Sequence, residues 1–254
     1  MGKAIRGILF DLGDTLLDFG SVRINRLFVQ GARNAYYYVR DLGKPLPSKP
    51  VYLLRQLWAV RWSYLKSLMT GREFDSLALL KRQAEKMGHP LSEPEAVELA
   101  WRFYLPLREM ATIENDLHQT LAAMQRRGLK LGIVSNTFLP AEVLDRHLDE
   151  EDLRKYFDTR VYSCQVGHRK PHRLIFQKAL ELISLPAEEV MFVGDTPKED
   201  VRGAKDMRMV TVLKDPDQRK SHRRPWADYT IGRIAQLLPI LDGMAAAPAG
   251  QSRT

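Results

Sequence analysis

Four short polar segments of this chain carry most of its side chains suited to chemistry. Carboxylates in the first and the last of them are oxygen ligands of the kind that a hard cation prefers. The second is a run of hydroxyl, amide and hydroxyl groups, and the third concentrates positive charge. The four segments are Asp11-Leu12-Gly13-Asp14-Thr15, Ser135-Asn136-Thr137, Gly167-His168-Arg169-Lys170-Pro171 and Gly194-Asp195-Thr196-Pro197-Lys198-Glu199-Asp200. Taken singly, each is equally compatible with a solvated loop or a capped helix start.

Three of these segments follow apolar runs that are typical of buried parallel strands. The runs are residues 4–10, 129–134 and 190–193, with shorter strand candidates at 159–162 and 209–213. Helical patterns alternate with them from residue 113 onward, which predicts an α/β fold with a doubly wound parallel sheet. Because such sheets bind ligands beyond the carboxyl ends of their strands, the placement of the segments predicts one common site.

Residues 19–112 interrupt this alternation with helical patterns alone, and they predict an inserted all-α helical bundle. The predicted helices cover residues 21–40, 52–69, 73–87 and 95–108. Nine aromatic residues are interpreted as the core of this bundle, with one or two of them able to face a substrate: Tyr36, Tyr37, Tyr38, Trp58, Trp62, Tyr64, Trp101, Phe103 and Tyr104. The predicted division is a core domain of residues 1–18 and 113–241, the helical domain 19–112 and a flexible tail 242–254.

Composition limits the class of protein. The chain has 254 residues, of which 44% are hydrophobic and 28% charged, so a disordered or fibrous protein is excluded. The single cysteine, Cys164, excludes an intrachain disulfide and is interpreted as a small buried hydrophobic residue. A long apolar stretch is lacking, so we expect no membrane partner. The single cysteine fits a reducing cytoplasm, so we expect a cytoplasmic location. We further expect a monomer or homodimer.

The net charge of +8 is concentrated in the helical insertion, where 15 Lys and Arg residues face 8 Asp and Glu residues. This surplus indicates either a solvated basic surface or a region that attracts an anionic substrate, such as a nucleotide or a sugar phosphate. The sequence contains no recognised nucleic-acid-binding motif, so we expect no nucleic-acid partner.

The order and spacing of the four segments resemble those of the haloacid dehalogenase-like hydrolase superfamily. An opening I-L-F-D-x-x-x-T-L is followed by S-N-T, then by R-K-P, and then by V-G-D with a second acid downstream. The resemblance covers residues 4–18 and about 113–213, and the helical insertion resembles the α-helical type 1 cap of one subfamily. It therefore implies a Rossmann-like core with a helical cap.

The resemblance also implies a role for each candidate residue. Asp11 would be the nucleophile that forms an aspartyl-phosphate. Mg²⁺ would bind Asp11, the Gly13 carbonyl oxygen, Asp195 and either Asp200, the first choice, or Glu199. The phosphate group would be bound by three further side chains, Ser135, Asn136 and Lys170. These roles predict a magnesium-dependent phosphatase that acts on a small phosphorylated metabolite.

One departure from the family pattern affects the general acid–base. Phosphatases of the family usually carry D-x-D-G-T, whereas this chain has Gly13 and Asp14 in the reverse order. The missing second acid protonates the leaving oxygen and later activates water, a contribution of about 10²–10⁴-fold. Asp14, a cap residue or a metal-bound water could substitute for it. The exchange of Gly13 and Asp14 is conformationally plausible, because aspartate tolerates a left-handed backbone. His168 and His172 are further candidates, although both could equally be exposed loop residues.

Three other functions remain open at this point. A haloacid dehalogenase-type hydrolase would use Asp11 to displace halide from carbon, without a metal. A phosphonate hydrolase would need a cap lysine, for which Lys44, Lys49 and Lys66 are available. The third alternative is a catalytically weakened phosphate-binding or scaffold protein, in which the exchange of Gly13 and Asp14 is a mark of lost activity.

Overall fold

Six parallel strands form a single sheet in the order β3-β2-β1-β4-β5-β6. The computed structural model describes residues 4–21, 24–217 and 227–246. The strands are β1 (Gly7–Phe10), β2 (Lys130–Ser135), β3 (Thr159–Tyr162), β4 (Val190–Gly194), β5 (Val210–Lys214) and β6 (Tyr229–Ile231). The strand order reverses between β1 and β4, which opens a crevice at the carboxyl end of the sheet. The predicted doubly wound α/β fold is confirmed.

The position of β1 inside the sheet, between β2 and β4, explains why its sequence is continuously apolar. Ile8, Leu9 and Phe10 are fully buried. Ile8 and Phe10 belong to the larger hydrophobic core, whereas Leu9 packs into the core on the opposite face. Successive side chains of a strand point to opposite faces, so a strand covered on both sides needs apolar residues at every position.

Helices cover both faces of the sheet and fill the insertion between β1 and β2. They are α1 (Ile24–Asp41), α2 (Lys49–Thr70), α3 (Ser76–Lys86), α4 (Glu93–Arg108), α5 (Leu117–Arg126), α6 (Ala141–Glu150), α7 (Ser163–Val166), α8 (Arg173–Ile183), α9 (Gly203–Asp206) and α10 (Leu237–Ala246). Within the described part of the chain, no helix has both the length and the apolarity needed to span a membrane.

The chain contains two features at its C-terminal end that the sequence reading missed. Strand β6 has only three residues, too few for a periodic pattern to be recognised. Helix α10 continues to Ala246 and so enters the predicted tail 242–254, and residues 247–254 lie outside the described residues. The predicted domain boundaries stay predictions.

The four helices α1–α4 of the insertion lie close to their predicted positions because clear signals bound them. Gly71, with φ of 65°, ends α2, and Ser92 forms a capping box with Glu95 at the start of α4. Helices α1 and α4 approach closely at Gly31, where a Cβ atom would lie 2.2 Å from the Phe103 carbonyl oxygen. Only glycine therefore permits this contact.

The predicted aromatic core of the insertion is wrong in part. Trp101, Phe103 and Tyr104 of α4 are buried, but Trp58 and Trp62 of α2 are 65% and 57% exposed. The two indole rings stack on each other with centroids 5.7 Å apart. Tyr37 and Tyr64 are also exposed. Helix α2 carries apolar residues on more than one face, so the helical period could not identify the buried one.

A buried ion pair joins the insertion to the sheet domain. Glu73, in the α2–α3 connection, lies 2.6 Å from the Arg169 guanidinium, and their side chains are 0% and 10% exposed. The same carboxylate accepts hydrogen bonds from Ser67 and Ser163 at 2.9 and 2.8 Å. The backbone amides of Glu73 and Arg169 bond to the carbonyls of Gly167 and Gly71 across the two segments. We call these contacts the Glu73–Arg169 bridge.

Replacing Glu73 with Gln keeps the shape and the hydroxyl contacts but leaves the Arg169 charge buried without a partner. We expect the free energy of unfolding to fall by about 3–5 kcal/mol, measured by urea denaturation. The matched control is Glu181→Gln, which removes an exposed pair with Lys178 and should leave the urea midpoint unchanged. Equal stability of Glu73→Gln and the wild type would show that the bridge contributes nothing net.

Candidate active site

Three carboxylates meet at the carboxyl ends of the adjacent strands β1 and β4. Asp11 follows β1, and Asp195 and Asp200 follow β4. Because Phe10 is paired with Val193, Asp11 lies beside the end of β4, and its amide donates to the Val193 carbonyl at 2.8 Å. Each of the three acids has a carboxylate oxygen within 4.8 Å of the others.

Asp200 reaches this cluster because of the backbone around it. The sequence predicts an ordinary helix over residues 199–207, but the structure has a π-helix at Pro197–Arg202 before α9. The wider π turn brings the Asp200 carboxylate back against β4, where it accepts a hydrogen bond from the Thr196 amide at 2.8 Å. A Cβ atom at Gly194 would lie 2.4 Å from Asp200 Cγ, so this approach requires glycine.

Lys170 places one positive charge among the three carboxylates. Its Nζ lies 2.5 Å from Asp11 Oδ1 and 2.7 Å from Asp200 Oδ1. It also donates a hydrogen bond to the Val134 carbonyl at 2.8 Å, and its side chain is only 2% exposed. One ammonium group cannot neutralise three carboxylates, so the buried cluster retains an excess of negative charge.

The pKa values of the cluster reflect burial first and the neighbouring charges second. Burial raises the pKa of the Asp11 carboxyl to about 7, with Asp200 and Asp195 adding to the rise and Lys170 opposing it. Burial likewise raises the pKa of Asp200. For Lys170, burial disfavours the charge, but Asp11 and Asp200 outweigh it and raise the pKa, so the ammonium stays protonated.

The donor set fits a divalent cation. Asp200 Oδ1 is buried and accepts no well-directed hydrogen bond, although Lys170 Nζ lies 2.7 Å away. A buried carboxylate oxygen that lacks a well-directed hydrogen bond, beside two further carboxylates, suits a small hard cation with oxygen ligands. Asp11, Asp195 and Asp200 could hold it, and Gly13 lines the same cavity.

Asn136 connects the three loops that surround the cluster. Its Oδ1 accepts from the Lys170 amide at 2.6 Å, and its Nδ2 donates to the Lys170 carbonyl at 3.1 Å and to Glu199 Oε2 at 2.9 Å. The sequence left open whether Asp200 or Glu199 joins the metal site. In the described structure it is Asp200 that lies in the cluster, whereas Glu199 is bonded by Asn136.

Ser135 and Asp14 also line the cavity above the cluster. Ser135 is buried at the end of β2, beside the central strand β1. Asp14 adopts φ of 54°, in agreement with the expectation that aspartate tolerates the left-handed region here. Its exposed carboxylate accepts a hydrogen bond from the Phe19 amide at 3.3 Å.

The two histidines that flank Lys170 lie outside the cavity lining, so the structure does not bring them to the site. Their rings are 4.2 Å apart. His172 is exposed, and its Nδ1 accepts from the Leu174 amide at the start of α8. The hypothesis that His168 or His172 replaces the missing acid is therefore not supported by the geometry.

The lysines and the cysteine considered from the sequence are also remote from the cavity. Lys44 is bound to Glu95, and none of Lys44, Lys49 and Lys66 lines the cavity. Cys164 is partly buried, and burial raises the pKa of its thiol to about 12. It is therefore no nucleophile at neutral pH.

Sequence reasoning missed the functional position of Arg169 and Glu73. Arg169 was interpreted as part of a basic turn, but it lines the cavity next to Lys170. Glu73 pairs with it across 96 residues of sequence. The only local signal is an acid two residues after the Thr70-Gly71 helix end, and no local pattern identifies its partner.

The cavity has a volume of about 600 Å³ and lies between the sheet and the insertion. Such a volume is typical of a site for a small organic molecule. Its floor is the charged cluster, and residues of α1 and α4 close its opposite side. The lining residues from the insertion side are Phe19, Gly20, Ser21, Leu27, Phe28, Tyr64, Phe103, Tyr104 and Leu107.

Comparisons with known proteins agree with this arrangement. The chain is 28% identical over 247 residues to a glyceraldehyde 3-phosphate phosphatase of Methanocaldococcus jannaschii, covering 94% of this chain and 98% of the relative. A solved phosphatase of Thermococcus onnurineus matches with a TM-score of 0.60 and 26% identity, over 94% of this chain and 99% of that one. A 2-haloacid dehalogenase of Pseudomonas syringae shares the fold, with a TM-score of 0.62 and 23% identity over 95% of this chain and all of that one.

The family model of haloacid dehalogenase-like hydrolases matches residues 5–208, which include the three acids, Lys170 and the whole insertion. The chain belongs to the haloacid dehalogenase-like hydrolase family.

Proposed function

We propose that this protein is a magnesium-dependent phosphomonoester hydrolase that acts on a small phosphate ester through an aspartyl-phosphate. The observation that carries the proposal is the cluster of Asp11, Asp195 and Asp200 around Lys170. Phosphoryl transfer requires a nucleophile and positive charge that stabilises the transferring group, and this cluster offers a carboxylate beside a cation site and a buried ammonium. Phosphatase-named relatives support the same reaction.

The residues divide the first step between them. A carboxylate oxygen of Asp11 forms a bond to phosphorus, while the bond from phosphorus to the leaving alkoxide breaks. Lys170 offsets the negative charge of the nucleophile and of the transferring group, and Ser135 donates a hydrogen bond to a phosphate oxygen. Asp11, Asp195 and Asp200, with the Gly13 carbonyl, would hold Mg²⁺, which would add positive charge to balance the phosphoryl oxygens.

The second step returns the enzyme to its starting state. Water attacks the phosphorus of the aspartyl-phosphate, the bond from phosphorus to the Asp11 oxygen breaks, and phosphate leaves. Asp14, an exposed acid in the cavity lining, would protonate the leaving alkoxide and then take the proton from water. Asn136 has a positioning role instead of direct phosphate contact, because its amide is already bonded to Lys170 and Glu199.

The other functions considered receive less support. A metal-independent dehalogenase gains nothing from three clustered carboxylates, whose mutual repulsion calls for a cation. A phosphonate hydrolase lacks a lysine at the cavity from the insertion, within the described residues. A scaffold protein would not need Lys170 buried against the nucleophile. Oligomeric state stays a prediction.

The reaction itself is tested with Asp11→Asn. We expect Mg²⁺-dependent phosphate release by the wild type from phosphomonoesters and a loss of at least about 10³-fold in the variant, because the amide cannot attack phosphorus. Phosphate release is followed by a colorimetric assay. The control is Asp206→Asn, the same substitution at an exposed site, which should leave the activity unchanged. Equal activity of Asp11→Asn and the wild type would contradict the proposal.

Metal binding is tested separately from turnover. Mg²⁺ at about 100 times its dissociation constant should raise the free energy of unfolding of the wild type by about 2.7 kcal/mol. Asp195→Asn removes one ligand and should lose most of this gain, whereas Asp206→Asn should keep it. Thermal unfolding with and without Mg²⁺ provides the measurement. An undiminished Mg²⁺ effect in Asp195→Asn would exclude this carboxylate from the site.

The role of Asp14 is tested through the leaving group. Asn tolerates the same left-handed backbone, so Asp14→Asn removes the carboxyl group that would donate and accept the proton, with little backbone strain. We expect kcat/KM for an alkyl phosphate to fall by about 10²-fold or more, because its alkoxide needs a proton. The kcat/KM for p-nitrophenyl phosphate should change far less, since nitrophenolate leaves without a proton and kcat/KM does not include the later attack of water. A parallel loss of kcat/KM on both substrates would assign Asp14 a structural role.

A further inference from the structure

The wall of the cavity opposite the charged cluster is apolar. This matters for the substrate, because the phosphate group occupies the charged floor and its organic part must contact this wall. The inference rests on the proposed phosphatase function. The wall is formed by two helices of the insertion and by the loop after β2, through Leu27, Phe28, Phe103, Leu107, Phe138 and Leu139.

The aromatic rings of this wall are held by neighbours, so they form a fixed surface. Phe28 and Phe103 stack with centroids 5.6 Å apart, where Gly31 allows α1 and α4 to approach. In the part of the wall formed by the loop after β2, the Phe138 ring stacks on Phe74 with centroids 5.5 Å apart, and it meets Tyr64 edge-on with centroids 6.1 Å apart. Such a surface favours an apolar or aromatic group.

Two polar groups beside the wall already have partners. The Tyr104 hydroxyl is bonded to Nδ1 of the buried His147 at 2.8 Å. The Thr137 hydroxyl accepts a hydrogen bond from the Leu139 amide at 3.0 Å. A substrate hydroxyl that lies against the side chains of Phe28, Phe103 and Leu107 would therefore lack a hydrogen bond there, at a cost in binding free energy.

The cavity also lacks a site for a second anionic group. Among the described lining residues the cations are Lys170 and Arg169, and each is already paired with a buried carboxylate. None of the described Lys and Arg residues between 19 and 112 lines the cavity. The sequence-based suggestion that the basic insertion selects a polyanion is thus not supported, because its positive charge lies elsewhere.

We propose that the substrate is a monoester in which one phosphate group is joined to an uncharged, apolar alcohol, aromatic or branched aliphatic. The charged floor binds the phosphate and the ring-lined wall binds the alcohol. A carboxylate, a second phosphate or a polyol in place of the apolar group would lie against Phe28, Phe103 and Leu107 without a partner.

The test compares esters that differ only in this group. Benzyl phosphate and 4-carboxybenzyl phosphate have leaving alcohols of similar reactivity, so kcat/KM reports recognition. With Mg²⁺ present, benzyl phosphate should be preferred by at least about 10-fold. It should also be preferred over glycerol 1-phosphate and pyrophosphate. A wild-type preference for 4-carboxybenzyl phosphate, glycerol phosphate or pyrophosphate would overturn the proposal.

A charge introduced on the wall should change this preference. In Leu107→Lys, an ammonium on the half-buried wall position should lower the ratio of kcat/KM for benzyl over 4-carboxybenzyl phosphate by about 10-fold. The matched control is Leu54→Lys, on an exposed site outside the cavity, which should leave the ratio unchanged. An equal ratio in Leu107→Lys and the wild type would place the alcohol elsewhere.

Binding of non-hydrolysable analogues separates this inference from the proposed function. If no ester is hydrolysed, the phosphatase proposal fails, and calorimetric titration with benzylphosphonate and 4-carboxybenzylphosphonate still tests the cavity. Tighter binding of benzylphosphonate supports the apolar wall as a ligand site. Equal or reversed affinities, or no binding of either analogue, overturn it.

Discussion

The Lys170 ammonium lies within 2.8 Å of carboxylate oxygens of Asp11 and Asp200, in a place that water scarcely reaches. Asp11 and Asp200 are buried and Asp195 is half-buried, so gathering three acids around one base is costly and persists only if the surroundings hold every group in place. Gly194 makes room for the Asp200 carboxylate, and the π-helix turns it inward. The remaining negative charge suits the cluster to the cation site that we propose.

The loop that carries Lys170 serves two parts of the molecule at once. On one side it is fixed by Asn136 through both of the Lys170 backbone polar groups. On the other side Arg169 reaches Glu73 in the insertion. The position of the ammonium and the position of the insertion are therefore coupled through two adjacent residues. A closed cavity that excludes water strengthens the electrostatic interactions within it.

The sheet and the insertion contribute different parts of the cavity. The sheet edge supplies the charged floor, whose geometry is fixed by strand register. The helices α1 and α4 and the loop after β2 supply the wall, whose side chains are free to differ without disturbing the cluster. In this chain that wall is ring-lined, with Phe28 stacked on Phe103.

Local pattern was sufficient for the parts of the protein that are encoded locally. The buried strands, the order of the four polar segments and the helices of the insertion follow from apolar runs, periodicity and end signals such as Gly71. Asp11 and Asp195 could be identified as candidate acids because each follows a buried strand. The carboxyl ends of parallel strands lie at the same edge of the sheet.

Tertiary structure alone decided which groups meet. The family pattern favours Asp200 over Glu199, but only the structure shows which carboxylate reaches the cluster, since this depends on a π turn and on Asn136, which is 63 residues away from Glu199. Sequence reading placed Trp58 and Trp62 in a core, because a helix with apolar residues on several faces does not reveal which face finds a partner. The Glu73–Arg169 bridge and the apolar cavity wall are contacts between distant segments. Their energies arise from burial and charge pairing in three dimensions, which periodicity along the chain does not encode.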